Sequence, residues 1–344
     1  MKILVTGNLG YIGSVLTEKL VDDGYNVTGL DIGYYKDNLV SQVKPLKNQI
    51  FGDIRNLKSE YFEEIDAIIH LASLSNDPLG EFNPNLTNEI NNLATVNMAK
   101  IAKRVGVKRF IYASSQSMYG ISKDDNELHE DNSEKNPVTA YAKTKWISEQ
   151  EIRKLCTDDF VVCAFRPSTV FGPSPRFRCD ILYNNLLSCA FTTNKIEIYS
   201  DGSPFRPIIH IDDVCEAFIS GIIAPKDIVN NQAFNVGIEG GNYTVKEIAL
   251  ASQNIIKGSN LIFTNKFSND ERTYRVSFKK INTVLKDYFK PKWNLESGGI
   301  DILNFLKKNN IDEEIFRGPK TNRIKQLKKL SDEKIVDTNL KFNV

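Results

Sequence analysis

The stretch that decides the fold is KILVTGNLGYIG, residues Lys2–Gly13, near the start of the chain. Its first part, Lys2–Thr6, is a compact apolar run and predicts a short buried strand. Glycines follow at positions 7, 10 and 13, and Val15–Asp22 has helical spacing. A strand, a glycine-rich turn and a helix in direct succession predict the first unit of a parallel α/β fold.

The same alternation continues through the first half of the chain. Apolar runs of strand length occur at Asn26–Asp31, Asn48–Gly52, Ala67–Ala72, Arg109–Ala113 and Phe160–Arg166. Helical spacing occurs between them, most clearly over Asn88–Val105 and Ala140–Leu155. Strands that are apolar throughout must be covered on both faces, so the pattern predicts an α/β fold with a Rossmann-type, doubly wound parallel sheet.

The pattern changes after Gly172, where GPSPRFR reads as an irregular connection. Later helical segments mix with short strands, two of which, Ile208–Asp213 and Ala233–Val236, are expected to rejoin the parallel sheet. The resulting assignment is residues 1–172 (with 205–238 returning) for the Rossmann domain, 173–204 and 239–317 for a smaller, discontinuous α/β domain, and 318–344 for a charged C-terminal extension. Lysine-rich composition predicts a solvated helix or a partly mobile end for that extension.

The composition excludes several classes of protein. The 344 residues include 44 Lys plus Arg and 43 Asp plus Glu, and the net charge of +1 gives no broad attraction to nucleic acid or an anionic membrane. The apolar runs are shorter than the roughly 18 residues of a membrane helix. Five scattered cysteines without a CxxC pair are typical of a reducing cytoplasm. We expect a cytoplasmic protein without a metal, since His210 and Asp212–Asp213 have no third ligand nearby in the sequence.

The glycines of the first turn have a distinct physical role each. Gly7 permits a tight turn, Gly10 lets the backbone approach a pyrophosphate, and Gly13 lets helix and strand pack closely. The pyrophosphate would sit at the positive end of the helix, where Tyr11 and Ile12 begin the first turn. The segment therefore predicts dinucleotide binding, and a simple glycine-rich turn is the alternative.

An acidic residue, Asp31, stands at the end of the second predicted strand, 18 residues after Gly13. A carboxylate there accepts hydrogen bonds from the adenosine ribose and repels a 2′-phosphate. The next four residues, IGYY, include no arginine, so the sequence favours NAD over NADP. The alternative is a solvated aspartate in a turn.

Two further strand ends carry candidate cofactor contacts. Asp53 and Ile54 follow the third strand, where the carboxylate could accept from the adenine amino group. Leu71, Ala72 and Ser73 follow the fourth strand and are expected to lie along the diphosphate and ribose. Ordinary loop residues would explain both groups nearly as well.

A tyrosine and a lysine, Tyr141 and Lys145, lie one helical turn apart and share a face, whereas Lys143 lies on another. A nearby ammonium favours the phenolate form of tyrosine and so lowers its pKa. Such a tyrosine can exchange a proton with a substrate hydroxyl while hydride moves to or from a nicotinamide. Ser115 follows the strand RFIYA, 26 residues earlier, and can hydrogen-bond the same substrate oxygen. The spacing of Tyr141 and Lys145 alone would fit two exposed side chains on a helix. Together with Ser115 it predicts a catalytic trio.

The chain resembles the extended short-chain dehydrogenase/reductase family, in particular its NAD-dependent nucleotide-sugar epimerase/dehydratase branch, over about residues 1 to 290. The resemblance rests on TGNLGYIG at 6–13, Asp31, the pair Asp53–Ile54, HLAS at 70–73, YASSQSMYG at 112–120, YAKTK at 141–145, RPSTVFGP at 166–173 and RPIIHIDDV at 206–214. It implies that Ser115, Tyr141 and Lys145 are catalytic, with Tyr141 and Lys145 also contacting the cofactor. It further implies a homodimer.

The resemblance also implies a nucleotide-diphosphate sugar as substrate, and it implies that the smaller domain, residues 173–204 and 239–317, is the substrate-binding domain. Arg206 matches an arginine that commonly contacts the sugar-nucleotide phosphates, and Arg272 or Arg275 would be the second contact. Arginine suits such a diphosphate because it can donate in a bidentate manner, although surface salt bridges explain Arg272 and Arg275 equally well. Thr169 and Asn185 are weaker candidates for substrate contacts.

The sequence departs from the family pattern directly after Ser115. Dehydratases of this family carry an adjacent Asp-Glu pair there, because elimination of water needs an additional acid and base; this chain has Gln116-Ser117. The resemblance therefore favours an epimerase that oxidises a ring carbon, C4 by preference. A nucleotide-sugar dehydrogenase or keto-sugar reductase on the same residues is the alternative, and a dehydratase or a non-catalytic NAD-binding protein is less favoured.

Overall fold

The computed structural model describes residues 1–122, 126–264 and 273–343. The strands are β1 (Lys2–Thr6), β2 (Asn26–Asp31), β3 (Asn48–Phe51), β4 (Ala67–His70), β5 (Arg109–Ala113), β6 (Glu127–Leu128), β7 (Val161–Pro167), β8 (Thr169–Phe171), β9 (Lys195–Ile198), β10 (Phe205–His210), β11 (Gln232–Val236), β12 (Asn242–Thr244), β13 (Asn260–Phe263) and β14 (Arg275–Val276).

The helices are α1 (Tyr11–Asp22), α2 (Asp77–Phe82), α3 (Pro84–Asn88), α4 (Thr95–Arg104), α5 (Ala140–Arg153), α6 (Leu182–Thr193), α7 (Ile211–Ile223), α8 (Lys226–Val229), α9 (Val245–Ile255), α10 (Lys279–Val284), α11 (Leu295–Lys308), α12 (Glu313–Arg317) and α13 (Arg323–Asp332). Short 3₁₀ segments cover Ile54–Asn56, Ser59–Phe62 and Gln116–Tyr119, and a π-helical segment covers Glu89–Ala94.

Among the described residues, the central sheet has seven strands in the order β11-β7-β5-β4-β1-β2-β3, and every neighbouring pair is parallel. Successive residues of a strand point to opposite faces: Ile3 and Val5 enter one apolar cluster, whereas Leu4 enters the cluster on the other face. Both faces are therefore covered, as the continuous apolar strands require. The predicted Rossmann-type fold is confirmed.

Only one of the two late strands expected in the central sheet lies there. β11 pairs with β7 at the sheet edge, with Phe234 opposite Phe165. β10 instead pairs with β8 and β12 in a separate three-stranded sheet. The apolar run of β10 is buried as expected, but periodicity does not specify which sheet a strand joins. Helix α7, which follows β10, packs against α1 beside the central sheet.

The smaller domain has an apolar cluster of its own. Helices α6, α9 and α11 pack together there, and their buried members include Tyr183, Leu187, Ile248 and Ile302. The cluster also contains Tyr11, at the start of α1, whose hydroxyl donates to the Gly172 carbonyl at 2.7 Å. The first helix of the Rossmann domain is thereby fixed to the connection that leads into the second domain.

The C-terminal extension is packed against the Rossmann domain, in contrast to the solvated or mobile end expected from its composition. Leu327, Leu330 and Leu340 are buried in the same apolar cluster as Leu4. The Tyr34 hydroxyl, in the loop after β2, donates to the Leu340 carbonyl. Lysines occupy the exposed face of α13 and the leucines face the Rossmann domain, so α13 is an amphipathic helix with one buried apolar face.

Within the described parts of the chain, no helix combines the length and apolar character needed to span a bilayer. The cysteines are all unpaired thiols.

Candidate active site

A cavity of about 510 Å³ opens at the carboxyl ends of the central strands, between the two domains. This is where ligands bind in doubly wound sheets, and the volume is in the range of small-molecule sites. Most sequence-predicted site residues line it: Gly7, Gly10, Tyr11, Ile12, Gly13, Asp31, Asp53, Ile54, Leu71, Ala72, Ser73, Ser115, Tyr141, Lys145, Thr169 and Arg206.

The glycine turn has no room for side chains. A Cβ on Gly7 would lie 2.8 Å from the Ala72 nitrogen, and one on Gly13 would lie 2.1 Å from the Gly7 carbonyl oxygen. Gly7 also has φ of +72°, which disfavours other residues. Gly10 is the N-cap of α1 and supplies no capping side chain, and the first turn has no acidic residue. The amides at this helix end therefore remain available for an anion, as a dinucleotide pyrophosphate requires.

Asp31 lies at the end of β2 beside this turn. Its carboxylate accepts from the backbone N–H of Leu9 at 3.1 Å and of Gly33 at 2.7 Å. Burial raises the pKa of Asp31, and these two hydrogen bonds act in the opposite direction. The carboxylate thus ties the glycine turn to the loop after β2 and still lines the cavity, which suits a ribose diol.

Asp53 is less available to a ligand than the sequence suggests. Its Oδ2 atom accepts from Arg55 Nε at 2.8 Å and from Arg55 Nη2 at 2.5 Å. Its Oδ1 atom accepts from the Arg55 backbone N–H at 2.8 Å. It therefore acts first as a partner of Arg55, which also donates to the Asn339 carbonyl of the C-terminal extension. Any contact to an adenine amino group would be additional to that pair.

The catalytic candidates of helix α5 are positioned by its N-terminus. Thr139 caps the helix by accepting from Ala142 N–H at 3.2 Å, and its hydroxyl donates to Asp77. Tyr141 is in the first turn, and Lys145 follows one turn later on the same face, with Nζ 5.9 Å from the tyrosine ring centre. Lys143 is exposed, as its place on another face predicts.

Burial controls the charges of this pair. It lowers the pKa of Lys145 to about 7, and Nζ donates to the Ala113 carbonyl at 2.8 Å. It raises the pKa of Tyr141 to about 12, which the hydrogen bond from Ser115 only partly offsets. The expected lowering of the tyrosine pKa by Lys145 is not found in this structure, because desolvation of the phenolate dominates and the cation that acts in the lowering direction is Arg178.

Ser115 reaches the same cavity from the end of β5. Its Oγ lies 2.8 Å from Ser117 Oγ and accepts from the Ser117 N–H at 3.2 Å. Ser117 also lines the cavity, although its sequence position indicates only a departure from the family pattern. Gln116 points elsewhere: it is buried, and its side chain donates to the carbonyls of Arg166 and Val236.

The predicted substrate contacts divide into three groups. Thr169 and Arg206 line the cavity. Asn185 lies away from the cavity lining, with its amide donating to the Cys179 carbonyl, and Arg275 packs over the Phe205 ring with Nη2 3.8 Å from Glu127. Arg272 lies outside the described residues.

The comparison with known proteins agrees with this site. Residues 3–237 match the NAD dependent epimerase/dehydratase family. The chain belongs to this family. It is therefore an NAD-dependent enzyme of the extended short-chain dehydrogenase/reductase type, and the predicted family and cofactor are confirmed. The glycine turn and Asp31 fit the adenosine and diphosphate half of NAD on steric and electrostatic grounds.

Individual relatives differ in the reactions that their names state. UDP-glucuronic acid decarboxylase 1 of Xenopus tropicalis is 25% identical over 337 residues, which cover 94% of this chain and 77% of that protein. UDP-glucose 4-epimerase of Mycolicibacterium smegmatis is 30% identical over 256 residues, covering 69% of this chain and 77% of that protein. The solved structure of MoeE5 in complex with UDP-glucose and NAD superposes with a TM-score of 0.76 at 24% identity, covering 90% of this chain and all of that one, and supports the fold.

A buried ion pair fixes helix α5 of this epimerase/dehydratase family member, and it was not predicted from the sequence. Glu149, one turn after Lys145, accepts from Arg166 Nε at 3.0 Å and Nη2 at 2.6 Å, and from the Ser114 hydroxyl at 2.6 Å. The network joins α5 to β5 and β7, the two strands beside it. Its sequence signal was an arginine inside an apolar strand, which requires a buried acidic partner.

The loop after β4 is fixed by a second buried side chain. Asn91, in the π-helical segment, accepts from the Leu74 N–H at 2.8 Å and donates to the Leu74 carbonyl at 3.1 Å. The predicted long helix over 88–105 is helical from 88 to 104, but Glu89–Ala94, the segment that carries Asn91, is π-helical. His70 is a satisfied core imidazole, bonded to Thr6 and Thr95 at 2.7 Å each.

The cavity lining also includes residues that were not predicted from the sequence, among them two arginines, Arg178 and Arg323. Arg178 stands in the irregular connection GPSPRFR, where a charged loop residue could have been flagged. Arg323 begins α13 in the C-terminal extension, and nothing in its local sequence indicates that it folds back to the cavity.

Proposed function

We propose that this enzyme is an epimerase that acts on a nucleotide-diphosphate sugar, oxidising one ring carbon, C4 by preference, and returning the hydride to the opposite face. The observation that carries the proposal is the convergence of Ser115, Tyr141 and Lys145 in one cavity with the glycine turn and Asp31. The family membership and the relatives named for UDP-glucose 4-epimerisation support it.

Each member of the trio has a separate task. Tyr141 exchanges the proton of the reacting sugar hydroxyl, and Ser115 hydrogen-bonds the same oxygen and fixes its distance from the phenol. Lys145, anchored to the Ala113 carbonyl, supplies a donor and positive charge next to the phenol. NAD, when bound, supplies the acceptor and later the donor of the hydride.

The positions that follow Ser115 favour epimerisation over dehydration. Elimination of water requires a further acid and base at the sugar, whereas Gln116 is buried in backbone hydrogen bonds and Ser117 offers only a hydroxyl. The carboxylate of Asp77 also lines the cavity, but it accepts from Thr139 and so supports the cap of α5.

A panel of nucleotide sugars tests the reaction. The purified protein is incubated with NAD and UDP-glucose, UDP-glucuronic acid and their counterparts on other bases, and products are followed by NMR and by absorbance at 340 nm. We expect an epimerised product with no net accumulation of NADH. Stoichiometric NADH would indicate the alternative, a dehydrogenase; loss of water or of carbon dioxide would indicate a dehydratase or a decarboxylase; and each of these outcomes would overturn the epimerase proposal.

The mechanism is tested by Tyr141→Phe. Removal of the proton-exchanging hydroxyl is expected to lower kcat by at least about 100-fold, while the affinity for NAD, measured by calorimetry, stays within about threefold. Tyr199→Phe is the control, because Tyr199 is exposed. A Tyr141→Phe protein with full activity would refute the assigned role.

A further inference from the structure

Three buried arginines, Arg176, Arg178 and Arg323, lie near the loop after β2, and we call them the arginine cluster. Arg178 and Arg323 line the cavity, whereas Arg176 donates to the Tyr35 and Lys36 carbonyls of that loop. Arg176 and Arg178 come from the connection after β8, and Arg323 is the first residue of α13. They are 3%, 6% and 2% exposed. Buried arginines need acceptors for all their donors, because a desolvated cation without a partner is unfavourable.

The protein itself satisfies the cluster only in part. Arg178 is paired with Asp180 through Nε at 2.8 Å and Nη2 at 3.1 Å. Arg323 donates from Nη2 to the Arg176 carbonyl at 3.0 Å, and its guanidinium lies 4.2 Å from the ring centre of Tyr35. Among the residues that the structure describes, however, Nη1 of both Arg176 and Arg323 is buried without an acceptor, as is the Tyr35 hydroxyl without a partner.

The carboxylates around the cluster are largely engaged by the protein itself. Asp180 pairs with Arg178 and also accepts the backbone N–H of Arg323 at 3.3 Å. Asp31 and Asp37 act on Arg176, and Asp31 also acts on Arg323, but both Asp31 oxygens are engaged by the backbone N–H groups of Leu9 and Gly33. The buried Nη1 donors of Arg176 and Arg323, without an acceptor in the described parts of the chain, therefore fit an anionic ligand.

The position of the cluster indicates which ligand. Arg323 lies near Asp31 and Tyr35, the adenosine end, and Arg178 is close enough to Tyr141, the reactive end, to influence its pKa. The diphosphate of a dinucleotide lies between these two ends. The four residues directly after Asp31, IGYY, carry no positive charge that could neutralise the diphosphate.

We propose that the C-terminal helix α13 completes the cofactor site and that Arg323 donates to the diphosphate of NAD. The glycine turn then provides amide donors, and the arginine cluster provides the counter-charge. This inference goes beyond the proposed reaction, since it concerns cofactor binding and holds for any reaction at the sugar.

A diphosphate group is also present in a nucleotide sugar, so the experiment must distinguish the two sources. Cofactor-free protein is titrated by calorimetry with NAD, ADP, adenosine and UDP, for the wild type, Arg323→Met, Arg323→Lys and the control Lys328→Met. Lys328 is an exposed cation on the same helix. Thermal unfolding without ligand establishes that each variant is folded, and Arg323→Lys, which keeps the charge, serves if the methionine variant does not fold.

We expect Arg323→Met to weaken NAD and ADP binding by about 10- to 100-fold, the usual effect of losing one charge-assisted hydrogen bond. Adenosine and UDP affinities stay within about threefold, Arg323→Lys is intermediate for NAD, and Lys328→Met resembles the wild type. Weaker UDP binding with unchanged NAD binding would place Arg323 on the substrate. An equal loss for adenosine and ADP would place it on the ribose or base, and unchanged NAD binding would remove it from the site; each of these three results overturns the proposal.

Discussion

Replacement of Lys145 by methionine is expected to stabilise the protein while it abolishes activity. Lys145 is 3% exposed, and burial lowers its pKa from 10.5 to about 7. Each pH unit of that difference corresponds to about 1.4 kcal/mol, so keeping the lysine protonated in the fold costs roughly 5 kcal/mol at low pH and about 4 kcal/mol at pH 7. Methionine has a similar volume and carries no charge.

The stability gained by Lys145→Met is smaller than the cost of burying the charged lysine, because the lysine also makes favourable contacts. Nζ donates to the Ala113 carbonyl at 2.8 Å and lies 5.0 Å from the Tyr112 ring centre. Loss of the hydrogen bond leaves a buried carbonyl unpaired, at about 1–2 kcal/mol. The net stabilisation near neutral pH is then about 2–3 kcal/mol, or roughly 3–4 °C in Tm for a chain of this length.

The stability difference between the wild type and Lys145→Met should depend on pH in a definite direction. A lysine whose pKa is lowered in the fold binds fewer protons folded than unfolded between about pH 7 and 10.5, so the wild type gains stability as the pH rises through that window. The advantage of Lys145→Met should therefore be greatest at pH 6 and shrink by pH 9.5. Lys143→Met is the matched control, because that lysine is exposed two positions away on α5.

The measurement is urea and thermal unfolding of cofactor-free wild type, Lys145→Met and Lys143→Met at pH 6, 7.5 and 9.5. The reasoning fails if Lys145→Met is less stable than the wild type at pH 6, or if the difference between them is the same at all three pH values.

The remaining predictions concern the supports of the site. Glu149→Ala leaves the buried Arg166 charge unpaired and should lower the free energy of unfolding, measured in urea, by about 3–5 kcal/mol. The control is Glu151→Ala on the same helix, whose side chain is 45% exposed and which should change that free energy by less than about 0.5 kcal/mol. Equal effects of the two substitutions would contradict the role of the Glu149–Arg166 pair. Gly13→Ala places a Cβ 2.1 Å from the Gly7 carbonyl oxygen, so NAD affinity by calorimetry should fall at least about tenfold, and an unchanged affinity would show that the turn is not the cofactor cradle.

The parts of the site that the sequence predicts are those encoded by short spacings. Gly7 to Gly13 lie within one turn and its helix, Asp31 ends the next strand, and Tyr141 and Lys145 are one helical turn apart. Each spacing fixes a local geometry, and the alternation of strands and helices then brings those segments to the same edge of the sheet. The structure places all of them around one cavity.

The rest depends on contacts between distant segments. Arg323 is far along the chain from every other cavity residue, and its place there depends on α13 packing against the loop that contains Tyr34 and Tyr35. The apolar run of β10 predicts burial equally well in either sheet. The π-helical segment within the helix over 88–105 carries Asn91, whose partner Leu74 lies 17 residues away. None of these follows from periodicity.

Burial lowers the pKa of three cations at or near the cavity. The pKa values of Lys145 and Arg323 fall to about 7 and about 10, and that of Arg176 falls as well, in each case chiefly through desolvation. Burial acts in the same direction on Arg178, but the pKa of Arg178 is raised instead, because Asp180 pairs with it. An anionic ligand beside Lys145 would favour its protonated form. A ligand that favours the protonated lysine must, by linkage, bind with proton uptake near and above pH 7. NAD binding should accordingly be accompanied by uptake of a fraction of a proton at pH 8, measurable by calorimetry in buffers of different ionisation enthalpy, and Lys145→Met should abolish that uptake.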